Sequence, residues 1–282
     1  MTVEHPATLA EALALRARHP DAIPITGGTD LMVEVNGGRR RPARMIDLAA
    51  LPELQDWQRR DGIVRLGAAV PYARVIAELA GQLPGLALAS RTVGSPQIRN
   101  RGSVGGNLGT GSPAGDALPP LVAVDAVVEV ASERGARTIA IADFLLGPKR
   151  TALAPDELIV AVDIPAARGP QVFSKIGTRN AMVIAVASFA LDVDPSGRVG
   201  AAIGSAGPTV LRAPEAESFL AAAVAADAVD DAVAARFGEL CAAAARPIDD
   251  VRGTAAYRRH AVGVMARRAV SWAMAELSEA AA

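Results

Sequence analysis

Gly94-Ser95-Pro96-Gln97-Ile98-Arg99-Asn100-Arg101-Gly102-Ser103-Val104-Gly105-Gly106-Asn107-Leu108-Gly109-Thr110-Gly111-Ser112-Pro113-Ala114-Gly115-Asp116 is the stretch on which the reading of this chain turns. Seven glycines and two prolines between Gly94 and Gly115 are too many for regular structure throughout. Within it, Ser103-Val104-Gly105-Gly106-Asn107 sets a glycine pair beside a small hydroxyl residue. That exposes consecutive backbone N–H groups, a way to hold a phosphate without a basic side chain. Thr26-Gly27-Gly28-Thr29-Asp30 offers the same arrangement a second time. Two such loops could hold the two phosphates of a dinucleotide between them, although either alone also suits an ordinary turn. Gly109, Gly111 and Ala114 match the G-x-G-x-x-A spacing of a Rossmann fingerprint. That fingerprint needs a strand before it and a long helix opening within it. Here more glycine precedes and Pro119-Pro120 follows, with no β-α-β alternation, so that reading is rejected.

Upstream, Thr8-Leu9-Ala10-Glu11 is a capping-box pattern opening a helix to about Arg18. Ile23-Pro24-Ile25 then reads as a short strand before the first glycine pair, and Met45–Leu48 as another. Further strands are expected at Ile63–Gly67, Ala126–Ala131, Thr138–Ile141 and Leu158–Ile164, with a helix over Tyr72–Ala80. Pro165-Ala166-Ala167-Arg168-Gly169-Pro170 signals a linker. Beyond it, Val172–Ile176, Val183–Leu191 and Val199–Ile203 form a three-stranded meander, and three helices over about 213–225, 228–245 and 254–277 close the chain. The fold class is α+β, divided near residues 166–171.

The bulk numbers exclude as much as they suggest. With 282 residues the chain can bury a sizeable core, and with 3% aromatics that core must be aliphatic. Lys and Arg (29) balance Asp and Glu (30), which argues against a nucleic-acid partner. The single cysteine, Cys241, excludes an internal disulfide, a cysteine zinc site and an iron–sulfur cluster held by this chain alone, and its apolar setting makes it buried filler. His5, His19 and His260 make no metal-ligand spacing. Met1–Pro6 is acidic and proline-broken, unlike a leader peptide, and no apolar stretch reaches the ~20 residues of a membrane span. The expected location is the cytoplasm.

The quoted stretch resembles the second FAD-binding segment of the flavoprotein subunits of molybdenum hydroxylases, the group of xanthine dehydrogenase and aerobic carbon monoxide dehydrogenase. Pro24-Ile25-Thr26-Gly27-Gly28-Thr29-Asp30-Leu31 is similar to their first segment. Asp143-Phe144 with Gly147-Pro148, Asp156–Pro165, Phe173–Met182 and Tyr257-Arg258-Arg259-His260 extend the resemblance over nearly the whole chain. It implies a two-lobed FAD-binding domain over residues 1–170, with lobes of about 1–58 and 59–170. A C-terminal domain over 171–282 would follow, built from a three-stranded antiparallel sheet and a helical bundle.

The resemblance also implies roles for particular residues. Ile25, Thr26, Gly27, Gly28, Thr29, Asp30 and Leu31, with Ser103, Val104, Gly105, Gly106 and Asn107, would wrap the pyrophosphate through backbone N–H groups. The hydroxyls of Thr29 and Ser103 would add to them. Asp116 would accept from sugar hydroxyls of FAD, its alternative being a cap on a helix beginning at Ala117. Thr110 and Ser112 would lie along the ribityl and ring side, and Ile159 near the isoalloxazine. Lys175 would stabilise the anionic reduced ring; without the resemblance it is a solvent-facing lysine on a strand. Arg99 and Arg101 lie either near the cofactor or on a partner surface.

Since this chain lacks cysteines for a cluster and shows no molybdopterin site, the resemblance implies two partners. One is a small subunit with 2Fe–2S clusters and the other a large molybdenum subunit. Electrons would leave through FAD to NAD, quinone or oxygen, with no membrane span in this chain. The absence of a cysteine-bearing insertion sets it apart from relatives that reduce aromatic acyl-CoA. The segment Arg179–Met182 is more similar to purine, aldehyde or N-heterocycle dehydrogenases than to carbon monoxide dehydrogenase. Two readings compete: a stand-alone FAD oxidoreductase of the vanillyl-alcohol-oxidase or MurB type, and a non-enzymatic interaction module whose glycine loops are only turns.

Overall fold

The computed structural model describes residues 1–180 and 182–281. The chain opens with a small parallel sheet in the spatial order Thr2–Glu4, Arg44–Asp47, Ile23–Ile25. The first strand is one the sequence pattern does not announce. The helix Leu9–Arg18 covers this sheet and starts as its capping box requires: Thr8 Oγ1 accepts from the Glu11 N–H at 3.2 Å. The Glu11 carboxylate reaches back to the N–H of Ala7.

A five-stranded antiparallel sheet follows, in the order Trp57–Arg60, Ile63–Gly67, Leu158–Pro165, Val127–Ser132, Gly135–Ala140. Leu158–Pro165 is its central strand, and every residue from Leu158 to Val162 is buried, which suits the continuous Leu-Ile-Val-Ala-Val run. Helices Tyr72–Glu78, Pro84–Thr92 and Leu118–Ala123 complete the main core around Leu66, Val75, Leu86, Leu108, Leu121 and Val162. Pro119 and Pro120 sit in the first turn of the last of these, where a missing N–H costs nothing.

The glycine-rich stretch is irregular in part, as its composition predicts. It holds two short helices, Pro96–Arg99 and Val104–Thr110, capped by Ser95 and Ser103, whose hydroxyls accept from the N–H groups of Ile98 and Gly106. Val104 and Leu108 bury in the core one helical turn apart, and that packing outweighs the weak helix propensity of glycine.

The third sheet runs Gln171–Ile176, Ala187–Val193, Val199–Gly204, all antiparallel, with a two-residue fourth strand, Leu211–Arg212, added to the three expected. Its second strand starts at Ala187, so Val183 to Val186, expected within it, belong to the preceding loop. Helices Pro214–Ala225, Asp231–Ala244 and Ala255–Ala281 pack on this sheet through a separate aliphatic core. Cys241 lies in that core, fully buried, with its thiol pushed up by burial. Among the described residues no cluster of His, Cys, Asp or Glu could hold a metal, and no helix is long and apolar enough to cross a membrane.

Candidate functional site

The two glycine segments, 77 residues apart in sequence, meet in space. A Cβ on Gly27 would overlap the carbonyl of Arg101, so only glycine lets the first segment lie against the second. Gly105 has a packing role as well: a Cβ there would overlap the backbone of Ala68, so its lack of a side chain seats the helix against the end of the strand Ile63–Gly67. Thr26 Oγ1 and Ser103 Oγ share a hydrogen bond of 3.3 Å across the seam. Among the described residues no acceptor within the chain is paired with the backbone N–H groups of Gly27, Gly28, Thr29, Asp30, Val104 or Gly105.

These segments form one wall of a cleft of about 1220 Å³. That exceeds the ~300–1,000 Å³ of an ordinary small-molecule cleft and suits a larger ligand. Ile25, Thr26, Gly27, Gly28, Thr29, Asp30, Leu31, Ser103, Gly105, Gly106, Asn107, Thr110, Ser112, Asp116 and Ile159 all line it. Val104 does not, because its side chain is in the core and only its backbone faces the seam. Several hydroxyls are partly committed within the chain. Thr110 donates to Asp30 at 3.2 Å, and Ser112 accepts from the N–H of Ala114 at 3.3 Å. Ile159 packs toward Gly109 on the cleft floor.

Lys175 stands just behind the cleft wall, paired with a residue that lines it. It does not line the cleft; its ammonium lies 2.5 Å from Asp116 Oδ2 and donates to the carbonyl of Thr92 at 3.2 Å. Both side chains of the pair are nearly buried, at 9% and 8% exposure, so the lysine's charge faces Asp116. Nor does Asp116 cap the following helix. Its Oδ2 also accepts from Thr92 Oγ1 at 3.1 Å, while its Oδ1 is buried without a partner in the chain. Burial pushes the Asp116 carboxyl above its ordinary range, and Lys175 and Thr92 oppose that rise.

Asn107, expected in this wall, lines the cleft with its Oδ1 buried and unpartnered. Sequence reading missed Tyr72, which is buried on the cleft wall with its hydroxyl unpartnered. Thr178, Val183 and Ile184 overhang the cleft from the loop after Gln171–Ile176. Ala181, within the segment compared with purine and N-heterocycle dehydrogenases, lies outside the described residues. No local pattern marks Tyr72, Thr178, Val183 or Ile184, since each is brought to the cleft by tertiary packing. Arg99 is neither a cleft residue nor a free surface charge: its guanidinium donates to the carbonyls of Val93 and Gly94 at 3.2 and 2.9 Å and braces that loop. Arg101 contributes its backbone to the seam with Gly27 and exposes its side chain.

The cleft therefore presents what an FAD molecule requires. It offers a row of unpaired N–H groups for the phosphates, buried acceptors for hydroxyls, and an apolar floor for a ring. Comparison with known proteins gives the same answer. Residues 1–167 match the model of the FAD binding domain in molybdopterin dehydrogenase, and residues 173–273 match the CO dehydrogenase flavoprotein C-terminal domain. The nicotinate dehydrogenase FAD-subunit of Eubacterium barkeri is 36% identical over 68% of this chain and 69% of that one. The xanthine dehydrogenase FAD-binding subunit of Escherichia coli O157:H7 is 34% identical over 75% and 76%. A solved structure of carbon monoxide dehydrogenase from Hydrogenophaga pseudoflava superposes with a TM-score of 0.90 at 29% identity, covering 98% of both chains. Matches over both halves of the chain decide against the stand-alone flavoenzyme and against a bare interaction module.

Proposed function

This chain belongs to the FAD-binding subunits of the molybdenum-containing dehydrogenases, and from that premise we propose that it is the electron-exit subunit of such a complex. It receives electrons from 2Fe–2S clusters on a small partner subunit and delivers them to an external acceptor: NAD, quinone or oxygen. Substrate oxidation belongs to a large partner subunit that carries molybdopterin. The observation that carries the reading is the seam at Gly27 and Arg101, which turns two distant glycine segments into one wall of a dinucleotide-sized cleft.

FAD, when bound, supplies one- and two-electron chemistry, which is what joining a cluster to a two-electron acceptor needs. The chain's own residues bind and orient it. The backbone N–H groups of Gly27 to Asp30, Val104 and Gly105 face the pyrophosphate, while that of Gly106 caps its own helix on Ser103 Oγ; Ile25, Thr26, Leu31, Ser103, Gly106 and Asn107 shape the wall. Asp116 accepts from hydroxyls of the sugar portions through Oδ1. Lys175 opposes the rise that burial imposes on the Asp116 carboxyl and holds its Oδ2. Thr110 and Ser112 flank the polyol, and Ile159 packs toward the ring and excludes water. We assign residues 1–170 to the cofactor domain and 171–282 to the domain that brings Lys175 to it, and place the complex in the cytoplasm.

An absorption spectrum of the purified full chain, followed by acid release of the chromophore, tests this. Bands near ~370 and ~450 nm with about one FAD per chain are expected, and so is co-purification of iron–sulfur and molybdenum partners. A colourless chain that takes up no added FAD overturns the cofactor. A flavinylated chain that turns over an organic donor without partners overturns the place in the complex.

A further inference from the structure

Tyr72 was silent in the sequence and carries a signal in the structure. It opens the helix Tyr72–Glu78, and its N–H donates to the carbonyl of Gly102 at 2.9 Å, which fixes it directly beneath the second glycine segment. Its ring packs under Gly102 and lines the cleft, and the residue is 3% exposed. Within the chain its hydroxyl has no hydrogen-bond partner, although burial of an unpaired hydroxyl is costly. The phenol is pushed up by burial first and by the nearby charge of Asp116 second, so it stays protonated and able to donate. Asp116 Oδ1 is buried and unpartnered on the same cleft, and the two groups do not bond to each other. Asp116 Oδ2, by contrast, is saturated by Lys175 and Thr92, so the carboxylate is locked in one orientation with one oxygen free.

A free acceptor and a free donor on one cleft form the pattern that grips an alcohol, because a hydroxyl donates once and accepts at the same time. We propose that Tyr72 is a cofactor-binding residue whose hydroxyl, together with Asp116 Oδ1, holds one sugar hydroxyl of the bound flavin dinucleotide. The inference rests on the FAD reading above and adds a residue and a hydrogen-bonding pattern to it. The shared chemistry is that of a secondary alcohol, from either the ribityl chain or the adenosine ribose.

Titration of FAD into the full chain freed of flavin, followed by quenching of flavin fluorescence, tests it in wild type, Tyr72→Phe, Asp116→Asn and the double variant. Tyr72→Phe keeps the buried ring, and loss of one hydrogen bond is expected to weaken FAD binding about tenfold. If both groups hold one hydroxyl, the same substitution made on the Asp116→Asn background weakens binding by less than about twofold. Unliganded Tyr72→Phe should melt no lower than wild type, since no partner in the chain is lost. Unchanged affinity in Tyr72→Phe, additive losses in the double variant, or a lower unliganded melting temperature would each overturn the proposal. Repeating the cycle with ADP and with FMN assigns the hydroxyl to ribose or ribityl. A wild-type chain that binds no FAD at all fails the underlying reading instead, which keeps the two failures apart.

Discussion

Replacing Lys175 by methionine isolates the energetics of the buried pair beneath the cleft. At 2.5 Å the two charges attract by about 7 kcal/mol at an effective dielectric of ~20, against a desolvation penalty of several kcal/mol for each ion. Burial pushes the Asp116 carboxyl up, and Lys175 and Thr92 oppose that rise without cancelling it. Asp116 holds its proton more tightly folded than unfolded. Stability is therefore lost as pH rises from the unfolded value, ~3.9, through the raised folded one. Lys175→Met removes the opposing cation and carries that window higher. Near pH 8 the variant should lose about 3–5 kcal/mol relative to wild type. The gap should shrink toward pH 5, changing by up to ~1.4 kcal/mol per pH unit, because a proton replaces the missing lysine. Urea unfolding of the flavin-free chain at pH 5, 6.5 and 8 reads this directly. The double variant Lys175→Met with Asp116→Asn should return to within about 1 kcal/mol of wild type, since a neutral pair removes both desolvation penalties. A pH-independent loss, or a double variant no better than Lys175→Met, would refute the argument that the lysine acts through the aspartate.

Gly27→Ala forces a methyl into the carbonyl of Arg101, so the two glycine segments must separate; a loss of about 1–3 kcal/mol by urea unfolding and a drop in FAD content are expected. Gly81→Ala, which meets nothing within 4 Å, is the control and should leave both unchanged. Cys241 should resist alkylation by iodoacetamide in the native chain at pH 8 and react on unfolding in urea, because the thiol is both buried and held protonated. Rapid native labelling would contradict its place in the helical core.

Elements set by local chemistry were legible in the sequence. The capping box at Thr8 opens the helix it announces, and the β-branched runs at Val172–Ile176 and Val199–Ile203 fall within strands one residue longer. Errors arose where tertiary packing overrode local preference. Val183 to Val186 look like strand, yet a Cβ on Gly177 would overlap Val183, and this packing draws the segment into the loop over the cleft. The second glycine segment looks like loop, yet burial of Val104 and Leu108 makes part of it helical. The cleft itself was half legible. Its glycine wall announces itself by composition, but the Asp116–Lys175 pair spans 59 residues and Tyr72 lies 44 before Asp116, with no spacing to betray either.

The distribution of polar atoms around the cleft explains why its recognition sits mostly in backbone. Among the described lining residues Tyr72 is the one aromatic, and the N–H groups of Gly27 to Asp30 are fixed by the fold, so binding freezes few side chains. The same design is costly without a ligand. Tyr72 Oη, Asn107 Oδ1 and Asp116 Oδ1 are each buried without a partner in the chain, at about 1–3 kcal/mol apiece. Against the ~5–15 kcal/mol that holds a typical domain folded, those three atoms are a substantial debt, to which the buried charge of Asp116 adds. Lys175, delivered from the strand Gln171–Ile176, offsets part of that charge.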